Sequence, residues 1–315
     1  MRTLRGAIVC ALVIGAAAGT ALAAGPGPHF GAWAAAQKID EIAGNHPDLN
    51  TPSTDGCPIQ SPDGLRLYIA SNRPAGHGGL DIWMASRDSK HDSWGAPVDL
   101  PEPVNSASDD FCPTPVKKNG LFFASRRVIA GVTCGMGDIY FSRRHAAEWS
   151  EPQHFACAPD GPNSALDEQG PSYVKGRLYF SSSSAAVPGD LFVSRKTGHL
   201  NFGPATPISE LNDAAANDIQ PNVRKDGLEV VFSSNRAGGM GGQDIWSATR
   251  PSMNAPWSAA VNLGSNVNTG FGESRPSLSR DAQQLLFGRT GPAGSGEGGT
   301  GMSDVYVTTR DKSDH

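Results

Sequence analysis

The chain has 315 residues, of which 38 are Gly and 24 are Pro, close to one residue in five; 18% are charged and 38% hydrophobic. That much Gly and Pro excludes a helical bundle or coiled coil, the Gly lacks the three-residue period of collagen, and the recurring apolar clusters exclude wholesale disorder. The net charge is −5 and no basic run is present, so there is no electrostatic case for nucleic acid or an anionic membrane as partner.

In chain order, the first segment reads as an address. Arg2 and Arg5 form a basic start, residues 6–20 are apolar but largely Ala and Gly, and Ala21-Leu22-Ala23 fits a small-x-small cleavage site. This predicts a signal peptide over 1–23, a linker over 24–32, and a periplasmic or secreted product with no membrane span. A permanent anchor would need about 20 strongly apolar residues. Cys10 follows Val9, without the small residue that a lipoprotein site wants before its Cys. Loss of Arg2 and Arg5 takes the charge from −5 to −7. Four cysteines then remain, Cys57, Cys112, Cys134 and Cys157. An even count in an oxidising compartment predicts two disulfides, and the spacing lacks the close Cys-x-x-Cys pair of a zinc site. No cofactor or metal motif is read.

The rest of the chain repeats itself. An acid, an aliphatic and an aromatic recur as Asp81-Ile82-Trp83, Asp138-Ile139-Tyr140, Asp190-Leu191-Phe192, Asp244-Ile245-Trp246 and Asp304-Val305-Tyr306, at steps of 57, 52, 54 and 60 residues. An acid stands three residues before a proline five times, at Asp55, Asp110, Glu168, Asp218 and Glu273. An Asn precedes each of these acids by five residues, or six in one case: Asn50, Asn105, Asn163, Asn212 and Asn268. Between the markers each unit predicts four short strands, with Asp63-Gly64, Asn119-Gly120 and Asp226-Gly227 closing hairpins. The fourth strand carries an aromatic, then Pro or Ala, then Leu, Ile or Phe: Trp94/Pro97/Leu100 is one copy. Only four copies follow the third strands. The fifth lies in front, at Trp33/Ala36/Ile39.

These repeats predict an all-β, five-bladed β-propeller of four-stranded antiparallel blades, closed by the N-terminal strand completing the last blade. Residues 33–52 form the closing strand, and the blades run over about 53–106, 107–164, 165–214, 215–269 and 270–315. All six Trp fall on repeat positions, so they are read as packing.

The motifs Ser61-Pro62-Asp63-Gly64, Ser71-Asn72-Arg73 and Ser233-Ser234-Asn235-Arg236, with the Asp-Ile-Trp elements, resemble the TolB-type, WD40-like β-propeller repeats. The resemblance covers residues 33–315 and is similar to the repeats found beside OmpA-like envelope domains. TolB itself has six blades and a separate N-terminal domain, so the match is one of repeats. It implies a fold and hardly any chemistry, because propellers host many functions.

Candidate site residues follow from the blade plan. The inter-blade links and the loops between second and third strands emerge on one face. Asp55, Asp110, Glu168, Asp218 and Glu273 are therefore expected around the channel mouth there, as a site for a cation, a sugar or a basic peptide. The bland alternative is that each acid pairs within its own blade. Arg73, Arg127 and Arg236 follow the second strands of blades one, two and four, whereas Ser184 and Gly291 hold that place in blades three and five. Glu168 and Glu273 are thus expected to lack an in-blade partner, although Arg275 is a possible neutraliser of Glu273. His77 sits in a Gly-rich loop on the same face. The loops Gly76-His77-Gly78-Gly79 and 238–242 precede a strand, not a helix, so they are no phosphate cradle. Four cysteines allow three pairings. Repeat position favours Cys134–Cys157 first, with Cys57–Cys112 as its complement.

There is no Gly-x-Ser-x-Gly elbow and no His-Glu-x-x-His. The function expected is an exported, monomeric binding module for a protein, peptide or envelope glycan, held on the link face. The alternative is a carbohydrate-active hydrolase using two channel-mouth carboxylates about 5–10 Å apart.

Overall fold

The computed structural model describes residues 29–291 and 302–313. The predicted signal peptide, part of the linker and most of the long loop before the last strand lie outside the described residues. Five antiparallel blades stand around a central channel. Blade one runs inward to outward as Asp55–Gln60, Arg66–Ser71, Asp81–Ser86 and Val98–Asp99. The inner strands of the other four blades are Asp110–Val116, Asp167–Val174, Asp218–Val223 and Gly272–Leu278. Gln37–Lys38 pairs with Ser303–Thr309 as the outermost strand of blade five, so the N-terminal strand closes the ring. His29–Phe30, expected as linker, adds a second clasp against Lys312–Ser313.

The outer strands are short, and the repeated Asn explains how blades tolerate this. In blade two Asn163 Oδ1 accepts from Ile139 N at 2.8 Å, and its Nδ2 donates to Ile139 O at 3.2 Å. Asn105 treats Ile82 the same way, Asn212 Leu191, Asn268 Ile245 and Asn50 Val305. Each amide imitates a strand partner near the start of the third strand. Asn105→Ala therefore leaves the buried N–H of Ile82 unpaired, while Ile82 O keeps Leu100 N as donor at 3.0 Å. At about 1–3 kcal/mol for the lost partner, urea unfolding is expected to show a loss of about 1–3 kcal/mol. A loss no larger than that of an exposed Asn201→Ala control contradicts the reading.

The core is a set of inter-blade clusters rather than one centre. Ile39 and Leu49 pack with Leu67 and Ile69 of blade one and Leu286 and Val305 of blade five. Five of the six Trp are buried and Trp149 is partly so. A further repeat caps these aromatics: Arg87, Arg250 and Arg310 stack over Trp94, Trp257 and Trp33 at 4.0, 3.9 and 4.3 Å. Each donates through Nε to a hairpin carbonyl, of Gly64, Gly227 and Ala282. This cation stands six residues after the acid of the third strand, a spacing open to sequence inspection but not used above.

Candidate functional site

The link face comes first because the sequence points there. Asp55, Asp110, Glu168, Asp218 and Glu273 are all fully buried. Each reaches back to the start of its own link: Asp110 Oδ2 accepts from Ser106 N and Ser106 Oγ, both at 2.7 Å, and Asp55 Oδ2 does the same to Thr51. Glu168 and Glu273 accept the N–H on one oxygen and the hydroxyl on the other, from Ser164 and Thr269, and Asp218 accepts from Asp213 N. The second oxygen of the three Asp takes a guanidinium, from Arg73, Arg127 and Arg236. The carboxylates tie links to blades.

Glu273 departs from expectation. It is paired with Arg289, Nε to Oε1 at 2.8 Å, and not with Arg275. Arg289 lies two residues before the place where blades one, two and four carry their Arg. Side chains two apart on a strand share a face, so the guanidinium still reaches the acid. Glu168 has no arginine among the described residues: Ser164 N, Ser164 Oγ and Ser182 Oγ satisfy it at 2.8, 2.5 and 2.7 Å. Burial raises its pKa above the ordinary Glu value, and the charge of Asp138 adds to this.

Around the channel, the residue before each repeated proline sits at a β-bulge with positive φ: Cys57, Cys112, Gly170, Gln220 and Arg275 at 48°, 48°, 58°, 55° and 58°. The proline has no N–H to leave unpaired at the bulge. These residues and their prolines line a cavity of about 30 Å³, room for about one water. Cys57–Cys112 bridges blades one and two within this ring, and Cys134–Cys157 ties the second-to-third loop of blade two to its outer edge. Arg275 lies over Gly56 of blade one; a Cβ there would fall 2.4 Å from Nη1. Its Nε is buried without a hydrogen-bond partner, and burial, with the charge of Arg126, pulls its pKa down.

His77 contacts Asp99, Nε2 to Oδ2 at 3.1 Å, and its backbone N donates to Asp81. Burial pushes Asp99 up to about 6, with Asp81 adding to the rise. The Gly-rich loops are packing devices: a Cβ on Gly78 or Gly241 would collide with carbonyl oxygens of the next link, Ser106 and Phe271 respectively. Cys134, Asp138 and His154 bring possible ligand atoms within 4.8 Å of one another. The Cys134 sulfur is committed to its disulfide, and His154 Nε2 lies 2.9 Å from Asp138 Oδ2. That leaves two ligands, which does not fit a metal centre.

A wide concavity opens on the opposite face, where the first-to-second strand hairpins turn. It holds about 550 Å³ and is lined by the last residues of all five inner strands, Gln60, Val116, Val174, Val223 and Leu278 among them. Between blades two and three it reaches an aromatic cluster that includes Phe122, Tyr173 and Phe202. Lys117, Lys175, Lys225 and Arg280 project from four hairpins, and Lys196 and His199 from the edge of blade three. No carboxylate lines it among the described residues. A second concavity of about 530 Å³ adjoins it between blades one and two, sharing Lys117 and Arg280 and adding Arg66, Lys118 and Arg144 beside a single acid, Asp63.

No family model matches the chain, and no curated protein matches its sequence. Solved structures do match in fold. A GH43 endo-arabinanase from Bacillus licheniformis has a TM-score of 0.51 at 13% identity, over 81% of this chain and 93% of its own. An endo-arabinase from Bacteroides thetaiotaomicron gives 0.51 at 14%, over 90% and 99%. A TolB from Agrobacterium tumefaciens gives 0.50 at 13%, over 84% and 92%. At such identities the likeness establishes the β-propeller fold and nothing about chemistry, so this chain is an all-β propeller similar in fold both to arabinan-degrading enzymes and to TolB.

Proposed function

We propose that this protein is an exported, non-catalytic binding propeller of the bacterial envelope, built from TolB-type repeats, whose ligand is a protein, peptide or envelope glycan. The observation that carries the reading is the composition of the hairpin-face concavity: all five inner strands contribute to it and no carboxylate lines it among the described residues. Export is supported by the basic-then-apolar start of the chain and by two disulfides. No helix among the described residues is long and apolar enough to cross a membrane. The seat proposed is the hairpin face rather than the link face, because the link-face acids spend their oxygens inside the fold.

The arabinanase likeness favours a second reading, glycoside hydrolysis, which needs two carboxyl groups facing the sugar. Glu168 and Glu273 are the pair it would use, yet both are fully buried and hydrogen-bonded. Incubation of the mature protein with a panel of envelope and plant glycans is expected to show binding with no release of reducing ends. Turnover that disappears in Glu168→Gln or Glu273→Gln replaces the binding reading with the hydrolase.

A further inference from the structure

The mature chain carries a net negative charge, so a surface with no carboxylate in its main depression runs against the composition of the whole. Lys117, Lys175, Lys196, Lys225 and Arg280 are all exposed, and none forms an ion pair among the described residues. Lys175 Nζ donates only to the backbone carbonyl of Asp226. The neighbouring hairpin acids are occupied elsewhere: Asp63 holds its turn through Ser61 and Leu65, Asp281 through Ser279 and Gln283, and Asp226 faces Arg224. Their pKa values are held low, chiefly by these hydrogen bonds acting against burial. Lys175 also acts on the Asp226 carboxylate, but Lys117, Lys196, Lys225 and Arg280 are uncompensated at the centre of the face, where the potentials of like charges add.

We infer that the two joined concavities of the hairpin face bind an acidic polysaccharide through its carboxylate groups. This rests on the binding function proposed above and names the ligand class of the same site. Two adjoining depressions, of about 550 and 530 Å³, share Lys117 and Arg280, which suits a polymer lying across blades better than a single small anion. A sugar chain fits better than an acidic peptide, because the channel-side edges of the inner strands, which no strand covers, are taken near the concavity by side chains of the neighbouring blade: Ser172 Oγ accepts from Val223 N and Asn222 Oδ1 from Leu278 N, each at 3.0 Å. What the face offers is side-chain chemistry: the Nδ2 amide of Asn222 and the exposed ring of His199 beside aromatic walls, the set that reads sugar rings, under a rim of ammonium groups that reads carboxylates.

The test is isothermal titration of the mature, disulfide-intact protein with polygalacturonate, neutral dextran and poly-glutamate, at low and high salt. The comparison variants are the triple reversal K117E/K225E/R280E and the single reversal K312E, an exposed cation outside the concavities. All three reversed side chains are exposed, so circular dichroism is expected to report an unchanged fold. Expected is binding of polygalacturonate that weakens with salt, no binding of dextran, an affinity loss of about tenfold or more in the triple variant, and none in K312E. Poly-glutamate binding as tightly as polygalacturonate overturns the saccharide and makes the ligand an acidic peptide. Dextran binding equally well, with the triple variant unaffected, overturns the acidic class while leaving a glycan-binding function standing. No binding of any of the three polymers overturns the inference, and the glycan panel described above then decides separately whether the protein binds at all.

Discussion

A chain that begins at Thr51 is expected to lose its closed fold. Residues 33–50 supply the outer strand of blade five and three side chains of the inter-blade cores, Trp33 at 7% exposure, Ile39 at 1% and Leu49 at 0%. Trp33 sits with Val231 and Ile245 of blade four, while Ile39 and Leu49 sit with Leu67 and Ile69 of blade one, so one segment joins both neighbours of the closing blade. At about 1.5–3 kcal/mol for each buried side chain, the loss is about 5–9 kcal/mol, against a total stability of about 5–15 kcal/mol for an ordinary domain. The truncation also bares the edge of Ser303–Thr309, which Gln37–Lys38 otherwise covers. Size-exclusion chromatography is expected to show oligomers or loss of soluble protein. Because His29 pairs with Ser313, the two ends of the described fold lie side by side. A permuted chain with residues 29–50 joined behind the last strand is therefore expected to restore the elution and solubility of the parent. A truncated chain that elutes like the parent with an unchanged melting temperature sinks this account of closure.

That closure was legible in the sequence because the fourth-strand motif had four copies behind third strands and a fifth in front. Its physical cause is register: each copy must lie beside a third strand, and only the last third strand lacked one. The cysteine pairing was legible for the same reason, since Cys57 and Cys112 hold one repeat position in adjacent blades and the inner strands of adjacent blades meet at the channel. The partner of Glu273 was not legible. Aligning blades by position looks for a guanidinium at residue 291, whereas a long side chain two residues earlier on the same face does the same work. The cationic face was hidden for a different reason. Lys117, Lys175, Lys225 and Arg280 stand about 50 residues apart in sequence, one to a hairpin, so a search for charge runs sees nothing. Only the closed ring gathers them.

The repeated acids give the sharpest contrast in stability. Asp110, fully buried, and Arg127, half-buried, form a pair at 2.6 Å, and burial outweighs the arginine in setting the Asp110 pKa, which is raised. Such a pair adds little net stability, yet removing one half leaves the other charge stranded, at a cost of about 3–5 kcal/mol. Asp110→Asn is expected to lower the urea midpoint by that equivalent, and Asp110→Asn with Arg127→Met to recover part of it. Glu168 shares the direction of that shift but not the guanidinium. Three neutral donors and no cation hold it, and burial raises its pKa above 4.5. The folded state therefore binds more protons than the unfolded state between 4.5 and the raised value, so stability falls as pH rises through that window. Glu168→Gln removes the charge while keeping an oxygen for Ser164 N, and the hydroxyls of Ser164 and Ser182 rotate to accept from the new amide. The variant is expected to match the parent near the bottom of the window and to exceed it at neutral and alkaline pH. Urea titrations across pH measure the difference directly. A Glu168→Gln protein less stable than the parent at alkaline pH means that the ionised carboxylate is needed where it stands, which returns Glu168 to the list of groups awaiting a cationic or sugar ligand.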